Sequence, residues 1–306
     1  MFLQVNNLIK SYGSKSVLEN ISFNQEKGEI ISLIGTSGIG KSTLLKCLAG
    51  LCSIDSGNIT LNSNKIHNLE ANNRKISFVF QESPLFPHIN LLDNILFNMS
   101  SYDKKKLDFL LEKTELKNLV KRFPFEISGG ENQRAAVVRS LIRNPDLLLL
   151  DEPFSNLDTV NKKYVKEIVF EIIKESNLTT IIVNHDIEES LEISDRIMII
   201  NDGIIDAIDT PENIYKNPKN LSTAQLFGDV TSLEVENKKR YIRPENIKIV
   251  EKSPYDIEVK KSFYLGEKYR ISAKLGDDII DLYHNTNLMQ GSNLYIDFNK
   301  EDILNF

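Results

Sequence analysis

A glycine-rich segment near the N-terminus has the residue types and the spacing that bind phosphate groups. Gly35, Gly40, Lys41 and Ser42 fit the pattern G-x-x-x-x-G-K-[ST], and the segment lies between a predicted strand and a predicted helix. Glycines let backbone N–H groups curl around a polyphosphate, and the positive end of the helix dipole faces the anion. Lys41 can neutralise the outer phosphates, and the Ser42 hydroxyl can coordinate Mg²⁺. The predicted nucleotide-binding residues here are Gly35, Thr36, Ser37, Gly38, Ile39, Gly40, Lys41, Ser42 and Thr43.

Two adjacent carboxylates follow a strongly apolar stretch further along the chain. Residues 147–150 are consecutive leucines, which predict a buried strand, and Asp151 and Glu152 come directly after it. Asp151 can hold Mg²⁺, directly or through water, and Glu152 can polarise an attacking water as a general base. Alone, these residues would be interpreted as two solvated acids at a strand end. The phosphate-binding segment favours the functional interpretation, because a nucleotide site needs both a metal ligand and a base.

A serine and two glycines open a third candidate segment. Ser128 and Glu131 have the spacing of a capping box, in which each side chain bonds the other residue's backbone N–H at a helix N-terminus. Gly129 and Gly130 would leave N–H donors exposed to an anion, and Ser128 would add a hydroxyl. Both interpretations can hold together, because a capped turn is preorganised to receive a phosphate.

The elements that must position these residues alternate between strand and helix. Strands are predicted near residues 2–8, 17–23, 29–34, 147–150 and 179–183, and helices from about 41 and near 90–121, 129–142, 159–175 and 186–193. The alternation is typical of a parallel sheet covered by helices, whereas the first two strands predict an antiparallel pair. From about residue 233, short strands and turns predict a small all-β module.

Composition limits the class of protein. The chain has 306 residues and a net charge of −6, which argues against a scaffold built mainly to hold nucleic acid. Its apolar runs are far shorter than the roughly 20 residues that a membrane-spanning helix needs. The N-terminal residues lack the pattern of a signal peptide, and Cys47 and Cys52 suit a reducing compartment. We therefore expect neither a secreted nor an integral membrane protein.

Over about residues 1–230, the order of the motifs resembles the ATP-binding subunit of ABC transporters. The motifs are GTSGIGKS, FVFQES, ISGGE, LLLLDEP, SNLD and VNHD. The resemblance implies a P-loop NTPase of the α/β class, with an ABC-type antiparallel β subdomain and a helical subdomain at about 82–142, that hydrolyses ATP with Mg²⁺. In ISGGE, Ile127 stands where the family usually has leucine and Glu131 where glutamine is commonest. The capping box and the helix dipole make a glutamate tolerable there.

The resemblance also assigns roles to single residues. It implies that Tyr12 stacks on adenine, that Gln81 links the Mg²⁺ and water site to a transmembrane partner, and that His185 contacts the γ-phosphate and orients the attacking water. Taken alone, these three would be a turn aromatic, a strand-end amide and a loop histidine. The implied catalytic residues are Glu152, His185 and Gln81, the implied metal ligands are Ser42, Gln81 and Asp151, and the implied contacts to ATP on the opposite subunit are Ser128, Gly129, Gly130, Glu131 and Asp158.

Residues 233–306 resemble the small OB-like regulatory domain, of the TOBE type, in bacterial import ATPases. Residues 241–249 look like the arginine-proline-glutamate strand of that domain. OB-like barrels often bind nucleic acid, but acidic and basic residues are nearly balanced here, so no nucleic-acid partner is expected. The domain is expected to pack against its dimer mate or to sense a small ligand.

The resemblance implies a homodimer, because the P-loop of one chain meets the Ser128 turn of another around a two-fold axis. The expected partners are transmembrane permease subunits and, indirectly, a solute-binding protein, at the cytoplasmic face of the inner membrane. Residues 82–125 would dock on the permease through exposed apolar side chains such as Leu85 and Phe86. A proline-rich loop with core-facing apolar residues is the alternative for this stretch.

The expected function is to supply energy to a bacterial importer. Ferric iron is favoured as the cargo over sulfate, molybdate, polyamines and sugars, on general likeness alone. The alternative is a soluble ABC-type ATPase that acts on ribosomes or DNA. Such proteins usually carry two ATPase cassettes or a long coiled coil, and this sequence shows one P-loop motif and no sustained heptads.

Overall fold

The computed structural model describes residues 1–81, 85–155, 157, 159–235 and 238–306, which divide into two compact units. The first unit is Met1–Pro211 and the second is Glu212–Phe306. The sequence pattern places the boundary near residue 230, so the residues just before it group with the second unit instead. The reason is Arg243, whose buried guanidinium donates to the carbonyl oxygens of Tyr215 and Ala224 at 3.2 and 3.1 Å.

An antiparallel sheet begins the first unit. Its strands are β1 (Leu3–Tyr12), β2 (Lys15–Gln25), β4 (Ser56–Leu61) and β5 (Asn64–Lys65), in the order β2-β1-β4-β5. The predicted antiparallel pair is confirmed, with Leu3 opposite Gln25 and Tyr12 opposite Lys15. Alternate residues of β1 are buried, as expected of a strand that covers a core with one face.

A mostly parallel sheet carries the apolar strands. Its strands are β3 (Ile30–Ile34), β6 (Ile76–Val79), β7 (Leu147–Asp151), β8 (Thr179–Val183), β9 (Arg196–Asn201) and β10 (Ile204–Asp209), in the order β10-β9-β3-β8-β7-β6. β10 pairs antiparallel with β9, and the other neighbouring pairs are parallel. Every residue of β3, β7 and β8 is buried, as expected of parallel strands that are covered on both faces, and the buried residues include the polar Ser32, Thr179 and Thr180.

Helices connect the parallel strands. They are α1 (Lys41–Ala49), α2 (Leu91–Ile95), α3 (Lys104–Lys113), α4 (Gly129–Leu141), α5 (Thr159–Glu175) and α6 (Ile187–Ile193). The predicted helical stretch 90–121 consists of α2, α3 and a 3₁₀ turn at Lys117–Leu119. Leu85 was expected to be exposed, and that expectation is wrong: its side chain is 8% exposed and packs in a core with Leu91 and Ile95. Phe86, by contrast, is 36% exposed.

The second unit starts with two short helices and continues as β structure. The elements are α7 (Pro211–Lys216), α8 (Leu221–Leu226), β11 (Thr231–Val235), β12 (Lys238–Ile242), β13 (Lys248–Val250), β14 (Tyr255–Tyr264), β15 (Tyr269–Leu275), β16 (Asp278–His284), β17 (Asn293–Asp297) and β18 (Ile303–Leu304). They form two antiparallel sheets, in the orders β11-β12-β18 and β13-β17-β14-β15-β16. Ile257, Val259, Ile271 and Ile296 are fully buried in their shared core. Within the described part of the chain, no helix combines the length and the apolar character that crossing a bilayer requires.

Candidate functional site

The glycine-rich segment forms the connection from β3 to α1. The buried Lys41 ammonium folds back on this loop and donates to the carbonyl oxygens of Gly35 and Thr36 at 2.7 and 2.9 Å. Burial lowers the pKa of Lys41, and the nearby carboxylates of Glu152 and Asp151 oppose that shift. The loop therefore presents a partly desolvated positive charge beside backbone groups at the start of α1, which suits an anion.

Two glycines of the loop are required by its geometry. Gly40 has a φ of 115°, and a Cβ at this position would lie 2.9 Å from the Val17 carbonyl oxygen. Gly35 has an ordinary φ, but a Cβ there would lie 2.5 Å from the Ile200 carbonyl oxygen. Side chains at these positions would push the loop away from β2 and β9, so the close approach of backbones explains both glycines.

Ser42 and Asp151 meet at the ends of α1 and β7. The Ser42 hydroxyl donates to Asp151 Oδ1 at 3.0 Å. Burial raises the pKa of Asp151, while the hydrogen bond from Ser42 lowers it. A hydroxyl and a carboxylate this close provide the hard oxygen ligands that Mg²⁺ prefers, so these residues fit the ion.

Glu152 and His185 form a second pair at the ends of adjacent strands. His185 Nε2 lies 2.5 Å from Glu152 Oε1. Glu152 has a φ of 48°, in the left-handed region that non-glycine residues seldom adopt. Its backbone N–H donates to the Val183 carbonyl oxygen at 3.2 Å, which continues the pairing of β7 with β8. The strained backbone and the short contact hold a carboxylate against an imidazole, as a general base and its partner require.

A cavity of about 160 Å³ joins the phosphate-binding loop to the base. It is lined by Ser37, Gly38, Gly40, Lys41, Ser42, Thr43 and Glu152. The cause is topological: β3, β8 and β7 are adjacent parallel strands, so the residues that follow them lie at one edge of the sheet. Gln81 belongs to the same edge, two residues beyond the end of β6.

Tyr12 ends β1 with an exposed ring. The ring is 52% exposed, and its hydroxyl is 3.2 Å from the Cys52 sulfur. The Lys10 ammonium lies 5.2 Å from the centre of the ring, and Lys10 is paired with Asp55 at 3.2 Å. A ring anchored at its hydroxyl and open on its surface can accept a stacked base.

The Ser128 turn is a capping box, as predicted. Ser128 Oγ accepts from the Glu131 N–H at 3.3 Å, and Glu131 Oε2 accepts from the Ser128 N–H at 2.6 Å. The bond from the Ser128 N–H lowers the pKa of the Glu131 carboxyl. Ser128 and Gly129 are exposed, and neither lines the phosphate-loop cavity among the described residues. Asp158, the other residue expected at the opposite subunit, lies outside the described residues.

A smaller cavity next to Glu152 and His185, lined in part by charged and polar residues, was not foreseen from the sequence. Its volume is about 70 Å³, and Lys162, Asn184 and Glu189 line it together with that pair. Glu189 is 4% exposed, and burial raises the pKa of its carboxyl. Glu189 lies four residues after His185 and is buried on α6 with Ser190 and Ile193, a burial that its acidic residue type does not signal in the sequence.

Known proteins resemble the chain over most of its length. The family model for ABC transporters matches residues 18–155. The sulfate/thiosulfate import ATP-binding protein CysA of Pseudomonas aeruginosa is 33% identical over 297 residues, which cover 92% of this chain and 90% of that protein. The chain belongs to the ATP-binding proteins of ABC transporters. A further member, the Fe(3+) ions import ATP-binding protein FbpC 2 of Haemophilus influenzae, is 39% identical over 237 residues, which cover 74% of this chain and 67% of that protein.

A solved structure supports the fold and the reaction. The ATP-binding cassette MJ0796, in a dimeric post-hydrolysis state bound to ADP and Pi, matches with a TM-score of 0.60 and 28% identity. The match covers 68% of this chain and 98% of that chain. The ABC-type fold expected from the sequence is thereby confirmed. The protein is an ATPase that binds ATP with Mg²⁺, as members of this family do.

Proposed function

We propose that the chain is the ATP-hydrolysing subunit of a bacterial ABC importer for an inorganic ion. The observation that carries this proposal is the cavity at which Lys41, Ser42 and Glu152 meet. The import function in the names of both relatives supports the direction of transport and two cargo classes, sulfate or thiosulfate and ferric iron. The sequence favours ferric iron between these two. In this proposal the permease and a solute-binding protein, rather than the ATPase, determine which cargo is transported.

The site residues take distinct roles in this proposal. The phosphates lie on the backbone of residues 35–43 with the Lys41 ammonium at the outer ones, and adenine stacks on Tyr12. Ser42, Asp151 and Gln81 would hold Mg²⁺, which when bound neutralises phosphate charge. Glu152 accepts a proton from the attacking water, and His185, already 2.5 Å from it, holds the water and the γ-phosphate in place.

Two chains complete each ATP site. Ser128 and Gly129 are exposed at the N-terminus of α4, and a Cβ on Gly129 would meet no described atom within 4 Å. An open, capped helix start of this kind can receive a γ-phosphate held by another chain. We assign Ser128, Gly129, Gly130 and Glu131 to that contact, and Asp158 to the interface on sequence grounds. Closure on ATP and opening after hydrolysis would drive transport.

The permease would dock beside α2 and α4. A cavity of about 330 Å³ there is lined by Ile76, Ser77, Phe78, Phe86, Phe97, Arg139, Ser140 and Arg143. The rings of Phe86 and Phe97 are 4.4 Å apart and partly exposed, and Arg143 donates to the Phe97 carbonyl oxygen. The two rings would contact an apolar residue of a short permease helix, and the arginines that line the same cavity would pair with a carboxylate of that helix. The ATPase would then sit at the cytoplasmic face of the membrane.

The second unit would serve as a TOBE-type regulatory domain. Its strand-rich core supports this proposal. The single strand predicted over residues 241–249 is wrong, because a 3₁₀ turn at Pro244–Asn246 separates the strand that ends at Ile242 from the one that begins at Lys248. In this role, contact of the domain with its dimer mate or with a small ligand would raise or lower the rate of ATP hydrolysis.

Co-purification with a permease tests the proposal. The chain is co-expressed with the membrane proteins encoded beside it, and the membrane fraction is solubilised and captured through the permease. The wild-type chain and a Lys65→Glu control, which changes an exposed lysine outside residues 82–125, should be captured, whereas Arg143→Glu should be lost while its ATP affinity is unchanged. Sedimentation of the chain with ribosomes, with no capture by any permease, would refute the importer proposal.

A further inference from the structure

Two residues that line the small cavity next to the Glu152–His185 pair carry buried polar atoms without a hydrogen-bond partner among the described residues. Asn184 is 5% exposed and its Nδ2 donor has no hydrogen-bond partner among the described residues. Glu189 is 4% exposed, and its Oε1 acceptor is likewise without a partner in the described part of the chain. A buried donor or acceptor without a hydrogen-bond partner destabilises the folded state. One small molecule that accepts a hydrogen bond from Asn184 and donates one to Glu189 would satisfy both groups.

The cavity is large enough for a water, and although most of its lining surface is apolar, Asn184 and Glu189 contribute one polar donor and one polar acceptor. Its volume of about 70 Å³ exceeds the roughly 10–15 Å³ of probe-occupied volume that one water needs. Glu189 Oε2 lies 3.5 Å from the Lys162 ammonium, and this ion pair compensates the negative charge of the buried carboxylate. Oε1 remains available to accept from a water that itself accepts from Asn184 Nδ2.

The position of this site ties it to the reacting groups. Asn184 immediately precedes His185, whose ring is half exposed and is therefore not held by packing. Asp186, which follows, caps α6 by accepting from the Glu189 N–H at 3.2 Å. A water that bonds both Asn184 and Glu189 would thus link the segment that carries His185 to α6. Lys162 of α5 pairs with Asp186 and Glu189 at 3.6 and 3.5 Å and so links α6 to α5.

We propose that Asn184 and Glu189 hold a structural water in this cavity, and that Glu189 is a positioning residue which keeps His185 against Glu152. The proposal rests on the role of Glu152 and His185 in the proposed function. Neither Asn184 nor Glu189 touches the nucleotide in this account. Their loss should therefore lower the rate of hydrolysis and leave the affinity for ATP as it is.

The direct test is a high-resolution crystal structure of the wild-type protein. The proposal requires a water within about 3.2 Å of both Asn184 Nδ2 and Glu189 Oε1. Direct contact of the two side chains, or a dry cavity, would overturn it.

The functional test is a double-mutant cycle on ATP hydrolysis. Glu189→Leu and Asn184→Ala should each lower kcat about tenfold, as small misplacement of a catalytic group does, with KM changed less than about twofold. The double variant should be no slower than either single variant, because both remove one shared water. Glu192→Gln is the matched control on the same helix, since Glu192 is exposed and pairs with Lys166. Additive losses, or losses in KM alone, would contradict the shared site.

Two further measurements keep the outcomes separate. The melting temperatures of the variants show whether a loss of rate reflects unfolding, and Glu189→Gln should keep more of kcat than Glu189→Leu because its amide oxygen retains an acceptor at the same length. Glu152→Gln serves as the reference. Full activity in that variant would refute the proposed site itself, whereas its inactivity beside normal Glu189→Leu and Asn184→Ala variants would refute only the water site.

Discussion

His185 Nε2 lies 2.5 Å from Glu152 Oε1, across the ends of the adjacent strands β8 and β7. Glu152 itself has a backbone φ of 48°, in the left-handed region that non-glycine residues seldom adopt. The pair is thus formed by the fold of a single chain before a second chain approaches. What a second chain adds, in the proposed function, is the Ser128 turn that closes the site over the phosphates.

Removal of the Lys41 ammonium should weaken ATP binding. Lys41→Ala deletes a buried charge at the phosphate loop, and a charge-assisted hydrogen bond contributes about 1.5–3 kcal/mol, so affinity should fall about tenfold or more. Equilibrium binding of ATP measures the effect. Lys65→Ala, which changes an exposed lysine of β5, is the control. Equal affinities of wild type and Lys41→Ala would refute the assignment of the loop.

Gly40 and Gly38 should respond differently to alanine. Both have positive φ, but a Cβ would clash with the Val17 carbonyl oxygen only at Gly40. Gly40→Ala should lower the free energy of unfolding by more than about 1 kcal/mol and weaken ATP binding, because the loop must shift. Gly38→Ala should have the smaller effect on stability. Urea denaturation of both variants measures the difference, and the reverse order would contradict the geometry.

The sequence predicted the parts of the site that depend on local spacing. The phosphate loop, the Asp151–Glu152 pair and the Ser128 capping box each lie within a few residues, so their geometry follows from one turn and its flanking elements. The strands with continuous aliphatic sequence were predicted for the same reason. β4, β9 and β10 were missed. β4 and β10 are mixed in polarity, and β9 was missed although four consecutive apolar residues of it are buried.

Features that depend on distant contacts could not be predicted. Glu189 is acidic and looks like a solvated residue of α6, and only the packing of α5 against α6 buries it beside Lys162. Leu85 follows a proline and looks exposed, but the core beneath α2 covers it. The unit boundary shifts because Arg243 reaches back to Tyr215, a contact that no local pattern contains.

The capping box should make stability depend on pH. The pKa of Glu131 is lowered by the bond from the Ser128 N–H, so its ionised form is favoured in the folded state. Its contribution is full above the unfolded-state pKa and is lost as pH falls through the lower folded-state pKa. Wild type should exceed Glu131→Gln in unfolding free energy by about 0.5–1 kcal/mol at pH 7, and the difference should vanish in acid.

Urea denaturation at neutral and acidic pH measures that difference. Glu70→Gln, an exposed glutamate whose side chain caps no helix, is the control. A difference that persists unchanged in acid would show that the Glu131 charge does not support the cap.

The most direct test of the account is Glu152→Gln in the presence of ATP and Mg²⁺. A positioned base contributes about 10²–10⁴-fold, so hydrolysis should fall by at least about a hundredfold while ATP remains bound. Light scattering after size exclusion should then show a stable dimer, because the two Ser128 turns stay closed on unhydrolysed ATP. Hydrolysis at the wild-type rate, or a variant that binds ATP and remains monomeric, would contradict the account.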